Sequence, residues 1–520
     1  MSWTSVCQMD DVLPDTGVCA LAGGRQIAVF RTDAGVFALD NYDPASQANV
    51  LSRGLLGDIK GERVVASPLY KHHYSLETGR CLEDSAYSVN VFPVRELDGR
   101  IWVNATTPTT YTPRAKRRLV VIGNGMAGMR TVEELLQLTT EDYEITVFGA
   151  EPHVNYNRIM LSPVLAGEKQ VEEIILHSKE WYAERSVRLY TGDPVVKIDR
   201  RRQLVRSQSG LEVPYDRLLL ATGSKPVVLP VPGKELPGVL TFRDLADVDA
   251  MLEAAGRYRK AVVIGGGLLG LEAANALLRR GMTVTVVHLC DSLMERQLDA
   301  AAAALLKASL EARGLQFRMP ARTAAILGEQ RVNGVRFDDG SEIDAELVVM
   351  ATGVRPNTEL AASAGLRCER GVLVDDTLQT YDPKIYAVGE CVQHRNATFG
   401  LVAPLWEQAR VCAAHLAEKG VRRYRQTLQA TQLKVTGIEL YSVGDFLGAD
   451  GSEALVLRDP RRGIYKRLVI RNNRLQGAVL YGDTRDGPWY FDLMSGGRDI
   501  TTLREQLLFG QPPSSGAAVE

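Results

Sequence analysis

Along the first hundred residues the apolar positions fall in short runs, broken every few residues by turn formers. "GVCALAGGRQIAVFR" is two such runs around Gly23-Gly24, and "VRELDGRIWV" is two more around Asp98-Gly99. The favoured two-residue hairpin turns need positive φ at one or both central positions, which glycine and aspartate supply at low cost, so both stretches predict β-hairpins. No helical spacing of apolar residues accompanies them. Residues 1–105 are therefore expected to form a small all-β unit. The polar, proline-bearing "TTPTTYTPRAKRR" that follows reads as a linker over 106–117.

From Leu119 the pattern changes to apolar strand-like runs followed by long amphipathic stretches, the α/β texture. A repeat runs through it. "RLVVIGNGMAGMRTVEELL" is answered by "KAVVIGGGLLGLEAANALL", and each is followed downstream by a segment containing "ATG": "YDRLLLATGSKP" and "DAELVVMATGVRP". After about residue 426 the text becomes strand-like again, as in "YKRLVIRNNRLQGAVLYGD". At 520 residues, the chain is too long for one hydrophobic core.

The repeated segments carry the chemistry. Gly123, Gly125 and Gly128 follow the run "LVVI" and open a helical stretch; Gly265, Gly267 and Gly270 do the same after "AVVI". In such a loop the first glycine permits the tight turn and the second lets backbone approach a pyrophosphate. The third lets helix and strand pack closely. The phosphates then meet free N–H groups at a helix N-terminus. A lone glycine loop often marks only a turn, but two in strand–loop–helix context predict two dinucleotide-binding units. In the first, the strand "YEITVFGAE" ends near Glu151, an acid placed for a ribose hydroxyl. In the second, the strand ends at His288, where an NAD-selective site usually offers an acid. Asp291 or Glu295 can substitute, or Arg296 can attract a 2′-phosphate; NADH is favoured.

Net charge of −2 leaves no electrostatic footprint for nucleic acid. No apolar run of about 18 residues predicts a membrane span, and "MSWTSVCQMDDVLPD" lacks a signal-peptide pattern. Seven scattered cysteines without CxxC or CxxxxC spacing predict reduced thiols and a cytoplasmic protein.

The order GxGxxG, ATG, GxGxxG, ATGVRPN, then "IYAVGE" resembles the FAD- and NAD(P)H-dependent pyridine-nucleotide reductases. That resemblance implies cofactor contacts at Gly123, Gly125, Met126, Ala127, Gly128, Glu151, Arg158, Ala221, Thr222, Gly223, Gly389 and Glu390. Around the second loop it implies them at Gly265, Gly267, Gly270 and Gly353. Glu390 stands where the family pattern has Asp, and "PLWEQARVCAAHL" is the implied helix whose N-terminal end faces the flavin. "NYNRIMLSPVLAG" lacks the cysteine pair of the disulfide-reducing members, so disulfide exchange is excluded. Pro163 replaces the Lys that ferredoxin and rubredoxin reductases often carry after "LS". No side chain is assigned as an acid or base catalyst, since the flavin carries the hydride chemistry.

Longer strings, among them "VVHLCDSLMERQLD", "LRDPRRGIYKRLV" and "VLYGDTRDGPWYFDLM", are similar to the flavin-containing part of assimilatory NAD(P)H nitrite reductases. The first hundred residues resemble the small subunit of those enzymes, a Rieske-like β fold. A Rieske [2Fe–2S] centre is held by two Cys and two His. Aligned on that pattern, the ligand positions hold Asn41, Asp43, Ser67 and Tyr70, while His72 and His73 in "ASPLYKHHYSLETG" fall beyond them. No cluster and no metal is therefore expected.

The implied fold is an α/β flavoprotein reductase with two dinucleotide-binding domains, an N-terminal all-β Rieske-like domain and a small C-terminal α+β domain. Its parts are an FAD domain at 118–235 and 356–425, an NAD(P)H domain at 236–355, a C-terminal interface domain at 426–510 that suggests a dimer, and a flexible tail at 511–520. The implied activity is NAD(P)H oxidation through FAD. Electrons pass to a separate sirohaem nitrite reductase or molybdenum nitrate reductase, directly or through a ferredoxin-like protein. A ferredoxin- or rubredoxin-type reductase of another pathway shares every glycine motif, and a flavin-stabilised binding protein is the non-enzymatic alternative.

Overall fold

The computed structural model describes residues 3–59, 61–110, 116–139, 142–419, 422–433, 435 and 437–511. Two compact units divide the chain, Met1–Ala115 and Lys116–Glu520.

The first unit is built from strands. Trp3–Gln8 pairs with Arg100–Asn104, and a five-stranded sheet centres on Arg25–Thr32 and Gly35–Asp40. Both predicted hairpins form. Ala22 pairs with Arg25 around Gly23 (φ 57°) and Gly24 (φ 76°). Leu97 pairs with Arg100 around Asp98 (φ 52°) and Gly99 (φ 70°). Strand alternation gives Arg25–Thr32 two buried faces: Ile27 and Val29 join one apolar cluster, and Ala28 and Phe30 join another. The stretch read as a linker is partly strand. Thr109–Thr110 pairs with Asn90–Val91 at the sheet edge, and Arg117 already belongs to the next strand. Threonine's branched side chain suits a pleated edge, a preference that the neighbouring prolines mask in the sequence. Residues 111–115 of that stretch, and 512–520 of the tail, lie outside the described residues.

The second unit contains two parallel five-stranded sheets. In the first, the order is Arg188–Tyr190, Tyr143–Phe148, Arg117–Ile122, Arg217–Leu220, Ile385–Ala387. In the second, it is Val239–Thr241, Leu347–Met350, Lys260–Ile264, Thr283–Val287, Gln316–Arg318. Their central strands are apolar on both faces, as sheets covered by helices require. Each sheet is accompanied by a three-stranded antiparallel meander just before its ATG segment, so the sequence repeat is a structural repeat. The two crossings between the sheets, Ser224–Pro226 and Val354–Pro356, pair with each other as an antiparallel ribbon.

A third five-stranded sheet, antiparallel, follows from Ala430 and packs under the helix Gly487–Ser495. It also meets the segment leading into the helix Ala300–Ala312 beside the second parallel sheet: Tyr465 Oη donates to Asp299 Oδ2 at 2.6 Å, and Ser442 Oγ donates to Gln297 O at 2.5 Å. All seven cysteines are free, and Cys391 and Cys412 are fully buried. Among the described residues, no helix is long and apolar enough to cross a membrane.

Candidate functional site

Helix α1 (Met126–Leu138) starts at Gly125, and helix α2 (Leu268–Arg279) starts at Gly267. The two loops that lead into them obey one steric plan. Gly123 has φ 117° and Gly265 has φ 131°, both in the range that favours glycine. A β-carbon on Gly123 would stand 2.1 Å from the carbonyl oxygen of Ala221; one on Gly265 would stand 2.3 Å from that of Ala351. The alanine of each ATG segment is thus the floor beneath its glycine loop. A β-carbon on Gly128 or Gly270 would strike the carbonyl of Gly123 or Gly265 at 2.7 and 1.9 Å. At Gly125 and Gly267 nothing lies within 4 Å, so the middle glycine of each loop faces open space in front of a helix N-terminus. That is the arrangement a pyrophosphate needs.

In front of each loop is a cavity. The first, about 240 Å³, is lined by Gly125, Met126, Ala127, Arg158, Ala221, Gly223, Gly389 and Glu390 among others. The start of helix α3 (Ala403–Leu416), the helix that the family resemblance implies faces the flavin, adds Val402 and Leu405. The second, about 660 Å³, is lined by Gly265, Gly267, His288, Glu295, Arg296 and Gly353 among others. Phe242, Leu268, Leu269 and Gly400 line both, so the two cavities adjoin across an apolar wall.

Several predicted residues have their polar groups engaged. Glu390 accepts a hydrogen bond from Ser224 Oγ at 2.8 Å and an ion pair from Arg243, whose side chain is 19% exposed against 13% for the glutamate. Glu151 accepts from Tyr156 Oη at 2.6 Å and pairs with Arg158. Burial works against the Arg158 charge, but Tyr156 and Glu151 outweigh it and hold its pKa above the ordinary value. The Thr222 side chain is engaged within the protein. Its hydroxyl donates to Asn357 O at 2.7 Å, and in the other half Thr352 donates to Val227 O at 2.7 Å. The ATG threonines clip each sheet to the crossing strand of the other. Glycines Gly128 and Gly270 serve packing and line neither cavity.

Behind the first loop is a buried polar chain that the sequence did not reveal. Asn155 Nδ2 donates to Asn124 O at 2.9 Å, Tyr182 Oη donates to Asn124 Oδ1 at 2.8 Å, and His177 links Asn155 (2.9 Å) to Glu133 (2.6 Å). These residues lie on separate elements, with no local spacing to announce them.

Among the described residues, His288, Cys290 and Glu295 form the one grouping of three possible metal ligands, with donor atoms within 4.8 Å of one another. The histidine argues against a metal there. Its Nδ1 accepts the Gly266 N–H at 3.1 Å, so its proton sits on Nε2, the atom turned toward Ser292 O (3.1 Å) and Glu295 (3.2 Å).

In the first unit, three of the four positions aligned with Rieske ligands lie close together and are buried. Ser67 Oγ donates to Asp43 Oδ2 at 2.6 Å, Ser46 Oγ donates to the same oxygen at 2.7 Å, and Tyr74 Oη donates to Asp43 Oδ1 at 2.6 Å. Asn41 Oδ1 accepts from the Ser52 N–H at 2.8 Å. Tyr70, the fourth, is 66% exposed. Burial alone would raise the Asp43 pKa, but the bonds from Ser67, Tyr74, Ser46 and the Ala45 N–H hold it below the ordinary aspartate value. Such a set of oxygens and amide nitrogens, already saturated internally, does not match the thiolate and imidazole ligands of a [2Fe–2S] centre. His72 and His73 are both half-buried; His73 pairs with Glu83, and His72 packs against Tyr70 and Tyr87.

Comparison with known proteins agrees with this architecture. The pyridine nucleotide-disulphide oxidoreductase family matches residues 117–417, the Rieske-like [2Fe-2S] domain matches 2–104, and the rubredoxin NAD+ reductase C-terminal domain matches 430–498. The chain is 49% identical over 386 residues to a nitrite reductase [NAD(P)H] of Bacillus subtilis strain 168, covering 74% of this chain and 48% of that protein. It is 43% identical over 405 residues to the assimilatory nitrate reductase electron transfer subunit of the same organism, covering 78% and 52%. The chain thus spans about half the length of these curated relatives. Among solved structures, a covalent putidaredoxin reductase–putidaredoxin complex superposes with a TM-score of 0.68 at 26% identity, covering 77% of this chain and all of that one. The chain belongs to the pyridine nucleotide-disulphide oxidoreductase family, which implies FAD and NAD(P)H as its cofactors.

Proposed function

We propose that this protein oxidises NADH through FAD and delivers the electrons to a metal-centred reductase of nitrite or nitrate assimilation. The single observation that carries the reading is the pair of glycine-loop cavities that adjoin through Phe242, Leu268, Leu269 and Gly400. FAD is assigned to the first loop and cavity, within domain segments 118–235 and 356–425, and NADH to the second, within 236–355. Bound FAD supplies the change from two-electron to one-electron chemistry.

The chain's own residues bind and orient. Backbone N–H groups at the starts of α1 and α2 hold the phosphates. Glu390, steadied by Arg243 and Ser224, presents a carboxylate to the flavin's sugar-like chain. The shared apolar wall keeps water from the junction. The segment 426–510 packs on the nucleotide half, and a homodimer through it is part of the reading.

The first unit is assigned no [2Fe–2S] cluster, because its ligand positions hold Asn41, Asp43, Ser67 and Tyr70. The acceptor is a separate sirohaem nitrite reductase or molybdenum nitrate reductase in the cytoplasm, reached directly or through a ferredoxin-like protein. The names of the two Bacillus relatives support that choice over a reductase serving another pathway. The test is reconstitution: the protein, NADH and a purified sirohaem nitrite reductase should consume nitrite, and omission of any one should stop it. NADH oxidation with ferricyanide but none with either nitrogen-oxide reductase would favour the general ferredoxin- or rubredoxin-type reading.

A further inference from the structure

We propose that Glu295, positioned by His288, reads the adenosine ribose and makes the second cavity selective for NADH over NADPH; this rests on that cavity being the nucleotide site. The strand Thr283–Val287 ends where a dinucleotide fold usually offers an acid to the ribose hydroxyls. The next residue here is His288, only 9% exposed and with both ring nitrogens committed. Gly266 N–H donates to Nδ1 at 3.1 Å; Nε2–H donates to Ser292 O at 3.1 Å and to Glu295 Oε2 at 3.2 Å. A ring with both nitrogens already committed does not replace the missing acid. It aims one instead.

Glu295 lines the cavity, and its side chain is 40% exposed. Its bond to the histidine uses Oε2, which leaves Oε1 to accept from a ribose hydroxyl. The ring is seated by the glycine loop itself, since a β-carbon on Gly266 would stand 2.7 Å from His288 Cγ. The relay Gly266–His288–Glu295 therefore ties the carboxylate to the loop that holds the pyrophosphate. It sets the spacing from pyrophosphate to ribose. A 2′-phosphate would bring its negative charge against Glu295. Arg296 and Arg322 also line this cavity, and Arg322 faces Asp338 at 3.4 Å. They moderate the exclusion of NADPH but leave the carboxylate nearest the relay.

The test uses the full-length holoprotein and the variants Glu295→Gln and His288→Asn. NAD+ and NADP+ binding is measured by titration calorimetry; kcat and KM are measured with NADH and NADPH against ferricyanide. The wild type should favour NADH in kcat/KM. Glu295→Gln should raise KM for NADH about 10- to 100-fold, the loss of a hydrogen bond to a charged acceptor, with kcat and the flavin spectrum unchanged. His288→Asn should shift KM the same way by less, again without a change in kcat. A wild type that prefers NADPH, or a Glu295→Gln variant with an unaltered NADH-to-NADPH ratio, overturns the proposal. Calorimetry separates the two levels. A protein that binds NAD+ through Glu295 yet never reduces its flavin refutes the electron path alone, whereas flavin reduction indifferent to Glu295 refutes this inference alone.

Discussion

Ala221 lies so close beneath Gly123 that a methyl group on the glycine would stand 2.1 Å from the alanine carbonyl oxygen, and Ala351 lies beneath Gly265 in the same way. The ATG segment is therefore the floor of the glycine loop, brought under it by the pairing of Arg117–Ile122 with Arg217–Leu220. The three glycines of each loop then have different jobs, and substitutions should separate them.

Gly123→Ala should fail to fold or lose all flavin, because its β-carbon has nowhere to go and its φ of 117° is strained for alanine. Gly125→Ala meets no protein atom within 4 Å, so the chain should fold with unchanged circular dichroism. It should be purified with little FAD, because the methyl occupies the space meant for pyrophosphate. Absorbance at the flavin maximum per mole of protein checks both.

Gly267→Ala is the matching change in the second loop, also with nothing within 4 Å. It should keep its flavin while KM for NADH rises at least about tenfold, the loss of one good charged contact. Steady-state kinetics with ferricyanide give the KM; a fall in flavin absorbance per mole of protein with KM unchanged would mean that the two loops are assigned in reverse.

Glu390→Gln leaves the guanidinium of Arg243, 19% exposed, without its counter-charge. Removing one partner of a buried pair costs about 3–5 kcal/mol; this partly wet pair should lose about 2 kcal/mol, discounted for screening. Thermal unfolding and the FAD dissociation constant should both register the loss, and the double variant Glu390→Gln, Arg243→Met should recover part of the stability.

The glycine loops were legible because their requirement is local: strand, three glycines and helix run continuously from Arg117 to Leu138 and from Lys260 to Arg279. The hairpins at Gly23-Gly24 and Asp98-Gly99 were legible for the same reason. What escaped depends on segments far apart in the chain. The partner of Glu390 is Arg243, 147 positions away, and Thr222 finds Asn357 after 135. The family resemblance of the ATG segment implied a cofactor contact at Thr222; its hydroxyl instead clips two crossing strands, while its neighbours Ala221 and Gly223 line the cavity. His288 was legible as a departure from the usual acid, but its commitment to Gly266 and Glu295 needed the loop 288–297 to fold back.

Asp216 offers a test by pH. Hydrogen bonds from the Arg118 guanidinium, at 2.8 and 3.0 Å, bring its pKa down to about 2. A carboxylate with a depressed folded pKa stabilises above its unfolded value, about 3.9, and loses that contribution as pH falls through the folded pKa. The contribution is therefore complete at neutral pH and fades between about pH 4 and 2. Both side chains are about one-third exposed or more, 34% and 43%, so Asp216→Asn should cost about 1 kcal/mol at pH 7 after screening. The cost should shrink toward pH 3 in equilibrium unfolding monitored over that range.

In the first unit, Asp43 accepts hydrogen bonds from Ser67, Ser46 and Tyr74 inside the core. Asp43→Asn should confront those donors with an amide and cost about 2–4 kcal/mol. Hydrogen exchange at residues 64–76 should accelerate, while NADH:ferricyanide activity and iron content stay as in the wild type.

The proposed path brings electrons in as NADH and holds them on one flavin. Anaerobic titration of the purified protein with NADH, followed in the visible, tests it most directly. The account predicts a flavin spectrum that bleaches with about one NADH per FAD, as a two-electron carrier requires, leaving no visible band. Broad absorbance that persists or changes after the flavin is bleached, in a sample containing iron, would contradict it and return the electron path to Asn41, Asp43, Ser67 and the histidines beyond them.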